Sequence, residues 1–222
     1  LSLLDYRRKK HERKNLLIRN KILAALSTLS KQIKAIILFG SFVQNHHTKY
    51  RDIDVLIVFK KKQWQKSIDR HNLAKQIEKD VPLTIDVQLT TITDLQKTYP
   101  YSPLLQTQLE EYEIIYGKVT LPKHKLINKP YLNQQLLEIE PILELSRSLD
   151  PNKIYTVLRQ CIAVKQFLNK SISNKALEKT ITNNIGATTV KSLKDNTATN
   201  IQRKIALTYA KALYHEVKNL LK

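Results

Sequence analysis

The sequence predicts an α+β domain followed by an all-helical domain. Two β-prone runs, residues 35–39 and 52–59, lie between segments of helical periodicity, and a third run, residues 83–89, alternates polar with apolar residues. Beyond Pro130 the apolar residues recur only at helical spacing. A chain of 222 residues, 42% of them hydrophobic, is long and apolar enough for one large or two small packed domains.

The first domain is expected to begin with an amphipathic helix over residues 6–30. The first half of this segment is basic, and its second half places apolar side chains three or four residues apart: Ile18, Ile22, Ala25 and Leu29. A strand over residues 35–39 stops at Gly40 and Ser41, and a polar loop separates it from the strand over residues 52–59. We therefore expect two adjacent strands in this part of the chain.

The rest of the first domain is expected to add a helix, a third strand and a closing segment. Residues 63–79 have the apolar spacing of one helix, and residues 83–89 place Thr84, Asp86 and Gln88 on one face of a strand. Residues 103–113 then indicate a short helix, and residues 114–117 indicate a strand or turn.

The second domain follows a connector that contains Pro122 and Pro130. We therefore predict a first domain over residues 1–118, a linker over 119–130 and a helical bundle over 131–222. Two apolar stripes support the helical prediction: Val157, Cys161, Val164 and Leu168, and then Ala206, Ala210, Leu213, Val217 and Leu220.

Charge and composition restrict the class of protein. The chain has 38 basic and 19 acidic residues, so its formal net charge is +19. Residues 1–118 carry 21 − 12 = +9 and residues 119–222 carry 17 − 7 = +10, so both parts are basic. Such an excess favours polyanionic partners, namely nucleic acid, nucleotides or an acidic protein.

Two further counts exclude other classes. Cys161 is the only cysteine, which excludes an internal disulfide framework and a cysteine-rich zinc site and fits a reducing compartment. No stretch has the roughly 18 consecutive apolar residues that a membrane helix needs, and no N-terminal segment has the pattern of a signal peptide. We therefore expect a soluble, cytoplasmic protein without a membrane partner.

The candidate chemistry lies in three aspartates. Asp52 and Asp54 are two residues apart on a predicted strand, so their side chains lie on the same face. Two neighbouring carboxylates repel each other unless a cation lies between them, and oxygen ligands favour a hard cation such as Mg²⁺. Asp86 lies on the polar face of its own strand and would complete a three-carboxylate, two-metal site from a neighbouring position in the sheet.

Gly40 and Ser41 have the character of a phosphate-binding turn. A strand that ends in glycine lets the backbone approach a phosphate without a Cβ atom in the way, and Ser41 offers a hydroxyl and an N–H. The next turn, residues 42–45, is expected to be helical. The turn is not a P-loop, because the Gly-x-x-x-x-Gly-Lys spacing is absent and the chain has only 3 glycines.

Together, Gly40-Ser41, ten residues of loop, Asp52-Ile53-Asp54 and the later Asp86 resemble the DNA polymerase β-like nucleotidyltransferase superfamily, in particular its minimal nucleotidyltransferase branch. The resemblance covers roughly residues 20–118 and implies a mixed β-sheet flanked by helices. Its composite motif is more specific than a lone Gly-Ser or a lone Asp-x-Asp.

The resemblance implies a role for each motif residue. Asp52 and Asp54 are implied to hold two Mg²⁺ ions, and Asp86 to bind the catalytic ion and help to activate an acceptor hydroxyl. Gly40 and Ser41 are implied to hold the β,γ-phosphates of a nucleoside triphosphate, with ATP as the expected one. Relatives more often have Ser where this chain has Arg51, and Arg51 is expected to contact a phosphate or an acceptor strand.

Several basic and polar groups have simpler interpretations. His46 and His47 are expected to belong to a solvated loop, and Cys161 to belong to a helical core. Four lysines form a line on the outer face of the last helix, opposite its apolar stripe: Lys204, Lys211, Lys218 and Lys222. Such a line is usually only a solvated face, although the net charge of +19 also allows a track for a polyanion.

The expected activity is Mg²⁺-dependent transfer of a nucleoside monophosphate, with AMP as the expected group, to an acceptor hydroxyl. RNA, including tRNA, is the expected acceptor, held by the helical domain and the basic N-terminal helix. A protein adenylyltransferase of the antitoxin type and a catalytically inactive RNA-binding protein on the same scaffold are the alternatives. An aminoglycoside acceptor is disfavoured, because aminoglycosides are cations and the chain has a net charge of +19.

Overall fold

A mixed four-stranded sheet forms the centre of the first part of the chain. The computed structural model describes residues 3–43, 52–122, 126–144 and 150–222. The strands are β1 (Ile33–Phe39), β2 (Asp52–Phe59), β3 (Thr84–Thr91) and β4 (Tyr112–Gly117), and their order in the sheet is β3-β2-β1-β4. β1 pairs with β2 and β4 in antiparallel orientation, whereas β2 and β3 are parallel. The predicted α+β fold is confirmed.

One face of this sheet belongs to a large hydrophobic core, and the opposite face carries the aspartates at one end. Alternate residues of β1, β2 and β3 belong to one buried hydrophobic cluster: Ile36, Leu38, Ile53, Val55, Ile57, Ile85 and Val87. Because successive side chains of a strand point to opposite faces, Asp52, Asp54 and Asp86 lie on the other face. The third predicted strand therefore has the expected polar face.

Helix α1 (Leu3–Ala25) packs on the hydrophobic face of the sheet. Its buried residues Asn15, Ile18 and Ile22, and Leu26 just after its end, repeat every three or four residues. Leu73 and Ile77, which follow β2 in the sequence, join the same cluster. The helix predicted over residues 6–30 is therefore present and ends at Ala25.

The single helix predicted over residues 63–79 is wrong. The structure has two helices in this region, α2 (Lys62–Lys66) and α3 (Arg70–Glu78). The Ser67 hydroxyl donates to the carbonyl of Trp64 (2.8 Å), and the Asp69 carboxylate accepts from the backbone N–H of Asn72 (2.7 Å). These side chains satisfy backbone groups locally, so the chain ends one helix and caps the next.

A short helical segment links β3 to β4. It contains α4 (Ile92–Thr98) and α5 (Pro103–Gln108), and Ser102 caps α5 by accepting from the N–H of Leu105 (3.4 Å). The predicted helix over residues 103–113 therefore ends earlier than expected, and β4 already begins at Tyr112.

The C-terminal region is helical throughout its described residues, as predicted. Its helices are α6 (Lys129–Leu137), α7 (Glu140–Glu144), α8 (Pro151–Leu168), α9 (Asn174–Ile185), α10 (Ala187–Lys194) and α11 (Asn200–Leu221). Leu158, Cys161 and Val164 of α8 are completely buried in its core. The predicted stripe of α11 needs one correction: Leu221 is buried, whereas Leu220 is 48% exposed, because a spacing of four from Val217 reaches Leu221.

The chain divides into two compact units. The first comprises Leu1–Thr98 and Glu111–Pro122, and the second comprises Tyr99–Glu110 and Lys123–Lys222. Helix α5 thus belongs to the second unit. No helix among the described residues is long and apolar enough to cross a membrane.

Candidate active site

The aspartates of β2 and β3 lie side by side on the face of the sheet that is turned away from helix α1. The parallel register pairs Asp54 with Asp86 and Asp52 with Thr84. Neighbouring strands are about 4.8 Å apart, so the backbones that carry Asp54 and Asp86 are separated by about this distance. The structure thus places all three predicted aspartates on one face of two neighbouring strands, with Asp54 directly beside Asp86 and Asp52 two residues before Asp54.

The site is open to solvent. Asp52 and Asp54 are half-buried, and Asp86 and Thr84 are exposed. The sequence pattern predicts that Thr84 shares a face of β3 with Asp86, but it does not assign Thr84 to the site. Its place opposite Asp52 follows from the register of β2 and β3, which no local pattern specifies.

The turn after β1 lies directly against this pair of strands. Phe39, the last residue of β1, pairs with Asp54, and Gly40 follows with a φ angle of +69°. A Cβ atom at position 40 would lie 2.0 Å from the Asp54 Oδ2 atom. Gly40 therefore allows the backbone to approach the Asp54 carboxylate, and Ser41 is half-buried next to it.

The local conformation of this turn differs from the prediction. A short 3₁₀ turn spans Gly40–Phe42, and the N–H of Val43 donates to the carbonyl of Gly40 (3.2 Å). The helical turn predicted for residues 42–45 therefore begins earlier, and its last two residues lie outside the described residues. Arg51, His46 and His47 also lie outside them.

Arg19 connects helix α1 to this turn. Its guanidinium donates to the Glu113 Oε2 atom of β4 from Nε (3.0 Å) and from Nη2 (2.7 Å). The same guanidinium carbon lies 5.6 Å from the centre of the Phe42 ring. Phe42 is buried (1% exposed), so this arrangement fixes one end of the Gly40–Phe42 turn. Because 94 residues separate Arg19 from Glu113, no local sequence signal identifies the pair.

The donor chemistry of the site fits a hard cation. Asp54 and Asp86 contribute carboxylate oxygens from neighbouring strands, and oxygen donors are those that Mg²⁺ prefers. Within residues 3–43, 52–122, 126–144 and 150–222, no group of three or more His, Cys, Asp or Glu side chains is arranged as a metal site. The three-carboxylate metal site therefore stays a prediction.

The predicted lysine line on α11 is interrupted. Lys204, Lys211 and Lys222 are exposed. Lys218 instead donates to Glu140 Oε1 (3.0 Å) and to the Tyr214 hydroxyl (3.2 Å). The four lysines do not form one solvated line, because the third belongs to an ion pair within the helical unit.

Residues 19–116 match the family model of the nucleotidyltransferase domain. This match confirms the predicted resemblance and the predicted class of enzyme. No curated protein has significant sequence similarity to the chain.

Solved structures also resemble this chain. Spectinomycin adenyltransferase AAD(9) from Enterococcus faecialis, solved with ATP and spectinomycin, is 15% identical with a TM-score of 0.56, and the match covers 90% of this chain and 97% of that one. At this identity the similarity shows the fold alone, and it includes a helical C-terminal region, as predicted.

Two toxin–antitoxin structures have lower TM-scores. A toxin–antitoxin complex with AMP-PNP is 22% identical with a TM-score of 0.34, and the match covers 45% of this chain and 73% of that one. The complex of a tri-AMPylated Shewanella oneidensis HEPN toxin with its MNT antitoxin is 20% identical with a TM-score of 0.32, and the match covers 58% and 83%. TM-scores below 0.5 support no inference about this chain.

Proposed function

Because residues 19–116 form a nucleotidyltransferase domain, we propose that this protein transfers a nucleoside monophosphate, with AMP as the favoured group, from a nucleoside triphosphate to an acceptor hydroxyl. One observation carries the proposal. Asp54 lies beside Asp86 in the sheet, and the Gly40 turn lies against the Asp54 carboxylate. This arrangement places carboxylates and a backbone turn suited to phosphate within one small region.

Each residue of the site would have its own role in the reaction. The backbone of Gly40 and the hydroxyl of Ser41 would hold the β,γ-phosphates, and Arg51 would contact a phosphate. The acceptor oxygen attacks the α-phosphorus in line, a new O–P bond forms, and the bond between the α-phosphorus and the bridging oxygen breaks. Asp86 would accept the proton of the acceptor hydroxyl, and pyrophosphate leaves with the electron pair of the broken bond.

The proposal includes Mg²⁺, held by Asp52, Asp54 and Asp86. Neighbouring carboxylates of like charge on one open face are the donors expected for this ion. When bound, Mg²⁺ would neutralise the charge that develops on the attacking and leaving oxygens. The side chains of the site orient the acceptor and the triphosphate.

RNA is the acceptor that the charge of the chain favours. The two parts of the sequence carry +9 (21 − 12) and +10 (17 − 7), so a polyanion is attracted to either of them. An RNA 3′ end supplies the hydroxyl that the reaction requires. A tRNA end is one form of such an acceptor.

A small hydroxylated molecule is a second candidate acceptor. The similarity to the spectinomycin adenyltransferase covers 90% of this chain, so it extends beyond the nucleotidyltransferase domain into the helical region. The net charge of +19 opposes a cationic acceptor such as spectinomycin, so this candidate ranks below RNA.

One experiment separates the acceptors. The protein is incubated with each α-³²P-labelled nucleoside triphosphate and Mg²⁺, together with total RNA, total cell protein or spectinomycin, and the Asp54→Asn variant serves as control. Label in RNA from ATP, lost in Asp54→Asn, supports the proposal. Label in spectinomycin supports the second candidate, label in protein supports an adenylyltransferase of the antitoxin type, and no label with any triphosphate contradicts transfer altogether.

A further inference from the structure

A second basic feature lies at the end of the sheet opposite the aspartates. β2 ends at Phe59 and β1 begins at Ile33, and these two residues pair. The segments 31–34, 60–62 and 117–120 therefore leave the sheet at the same end. They contain six lysines and no Asp or Glu, and we call these lysines the lysine rim: Lys31, Lys34, Lys60, Lys61, Lys62 and Lys118.

Contacts between the three segments hold the lysine rim together. The N–H of Lys60 donates to the carbonyl of Gln32 (3.0 Å), and its Nζ donates to the carbonyl of Lys31 (2.8 Å). Lys34 and Lys118 line one shallow groove of about 260 Å³, together with Ile92, Gln96, Val119 and Thr120. All six lysines are exposed, and one of them, Lys62, pairs with Asp94 of α4 (3.8 Å), so the lysine rim is a cationic edge that contains one ion pair.

The lysine rim has aromatic rings beside it. The Nζ of Lys61 lies 5.4 Å from the centre of the half-buried Trp64 ring. Tyr116 is 37% exposed, and its hydroxyl donates to the carbonyl of Ser30 (3.2 Å), the residue before Lys31. Lysines with adjacent aromatic rings are typical of surfaces that bind single-stranded nucleic acid, because bases stack on rings while phosphates meet the cations.

The surroundings favour nucleic acid over an acidic protein. Protein interfaces usually have an apolar centre, whereas no residue of segments 31–34, 60–62 and 117–120 is a large exposed hydrophobic one. The lysine line of α11, by comparison, lies on a helix with two exposed isoleucines, Ile201 and Ile205.

We propose that the lysine rim binds the phosphate backbone of a single RNA strand, with Tyr116 as a stacking position. From Ile33 to Phe39 is six residue steps along β1, so the lysine rim lies about 20 Å from the aspartates. A stacked strand with a rise of about 3.4 Å per nucleotide covers this distance with about six nucleotides. The role of the lysine rim in leading RNA to the active site rests on the proposed function. RNA binding by the lysine rim can be measured without any transfer reaction.

Binding is tested with the full chain carrying Asp54→Asn, without a nucleoside triphosphate. The probe is a 12-nucleotide unstructured RNA with a 5′ fluorophore, followed by anisotropy between 50 and 300 mM NaCl. The rim variant combines Lys34→Gln, Lys61→Gln and Lys118→Gln. The control variant combines Lys204→Gln, Lys211→Gln and Lys222→Gln, which removes the same charge from exposed lysines of α11.

The expected results differ between the two variants. The rim variant should weaken binding about tenfold or more at 100 mM salt, and the slope of log K against log salt should fall by about 2, since each phosphate contact contributes about 0.7. The control variant should lose no more than about twofold. Tyr116→Ala should weaken binding several-fold with an unchanged slope, because stacking releases no counterions.

Four outcomes would overturn the proposal. Equal losses in the rim and control variants would show only a general effect of net charge. A larger loss in the control variant would place the RNA on α11. Displacement of the RNA by polyglutamate at equal charge concentration would assign the lysine rim to acidic polypeptides. If the rim variant binds RNA weakly but the wild type transfers nothing to RNA, RNA is not the acceptor, and the RNA-binding role of the lysine rim still holds. If the wild type transfers label to RNA and the rim variant binds RNA normally, the lysine rim is not the RNA-binding surface.

Discussion

Gly40 and Asp54 are so close that a Cβ atom at position 40 would lie 2.0 Å from the Asp54 Oδ2 atom. This contact joins the two halves of the sequence motif, the turn after β1 and the first residues of β2. Gly40 also has a φ angle of +69°, which side chains other than hydrogen disfavour. Two independent constraints therefore require glycine at the point where the turn meets the carboxylates.

Gly40→Ala should consequently abolish most of the transfer activity. The methyl group must displace the Asp54 carboxylate or the turn, and a misplacement of about 1 Å at a reacting group lowers rates about a hundredfold. Gly186→Ala is the matched control, because Gly186 has a φ angle of +82° and no atom within 4 Å of an added Cβ. The control should lose about 1–3 kcal/mol of stability in urea unfolding and keep its transfer rate.

A second prediction concerns the Arg19–Glu113 pair and the Phe42 ring. Arg19→Gln should raise KM for the nucleoside triphosphate more than it lowers kcat, because the turn that would hold the phosphates loses support. The free energy of unfolding should fall by only about 1 kcal/mol, since both side chains are partly exposed (22% and 38%).

Two further variants check this assignment. Exchanging the charges, with Arg19→Glu and Glu113→Arg together, should reverse part of the rise in KM. Lys165→Gln breaks the ion pair with Glu216 (2.6 Å) in the helical unit and should leave KM unchanged. Equal effects of Arg19→Gln and Lys165→Gln on KM would contradict a role for Arg19 in positioning the turn.

The Cys161 thiol should be inert in the folded protein. Burial raises the pKa of this thiol to about 12, so almost no thiolate is present at neutral pH. A thiol reagent such as DTNB should react only after unfolding in denaturant. Cys161→Ser should lower the free energy of unfolding by about 1–3 kcal/mol through its buried hydroxyl, and Cys161→Ala should cost less. Rapid reaction of the native protein would contradict this assignment.

The Glu140–Lys218 pair predicts a dependence of stability on pH. The hydrogen bond from Lys218 lowers the pKa of Glu140 below its usual 4.5, and the hydrogen bond to Glu140 raises the pKa of Lys218 above its usual 10.5. The contribution of Glu140 is therefore present above about pH 4.5 and is lost as pH falls through its lowered pKa. That of Lys218 is present below about pH 10.5 and is lost as pH rises through its raised pKa.

The part of this dependence that is due to Glu140 is measured by urea unfolding from pH 3 to 8. The wild type should be more stable than Glu140→Gln at pH 7, and the difference should shrink below pH 4.5. A difference that stays constant down to pH 3 would show that the carboxylate does not contribute as an ion.

Structural features that depend on a short-range sequence pattern can be predicted from the sequence. Alternation of apolar and polar residues identifies the strand that carries Asp86, and the spacing of Asp52 and Asp54 places both on one face. Local capping is harder to predict: Ser67 and Asp69 divide one apolar helical pattern into α2 and α3, because side-chain hydrogen bonds compete with the helix.

Pairing between distant segments cannot be predicted from such patterns. The register that puts Asp54 beside Asp86, and the pair that joins Arg19 to Glu113, depend on how distant elements pack. The place of Gly40 directly after a strand predicts a phosphate-binding turn. The closeness of Gly40 to the Asp54 carboxylate is a second reason why this position requires glycine, and only the folded chain shows it.

Asp52, Asp54 and Asp86 are proposed to form the transfer site, and one measurement tests this directly. Pyrophosphate release and transfer of α-³²P label from ATP are followed together in the wild type, Asp54→Asn and Asp80→Asn. Asp80 is an exposed carboxylate of the same unit and serves as the control. We expect equal amounts of pyrophosphate and transferred label in the wild type and Asp80→Asn, and at least a ~100-fold loss of both in Asp54→Asn. Undiminished transfer by Asp54→Asn would rule out these carboxylates as the transfer site.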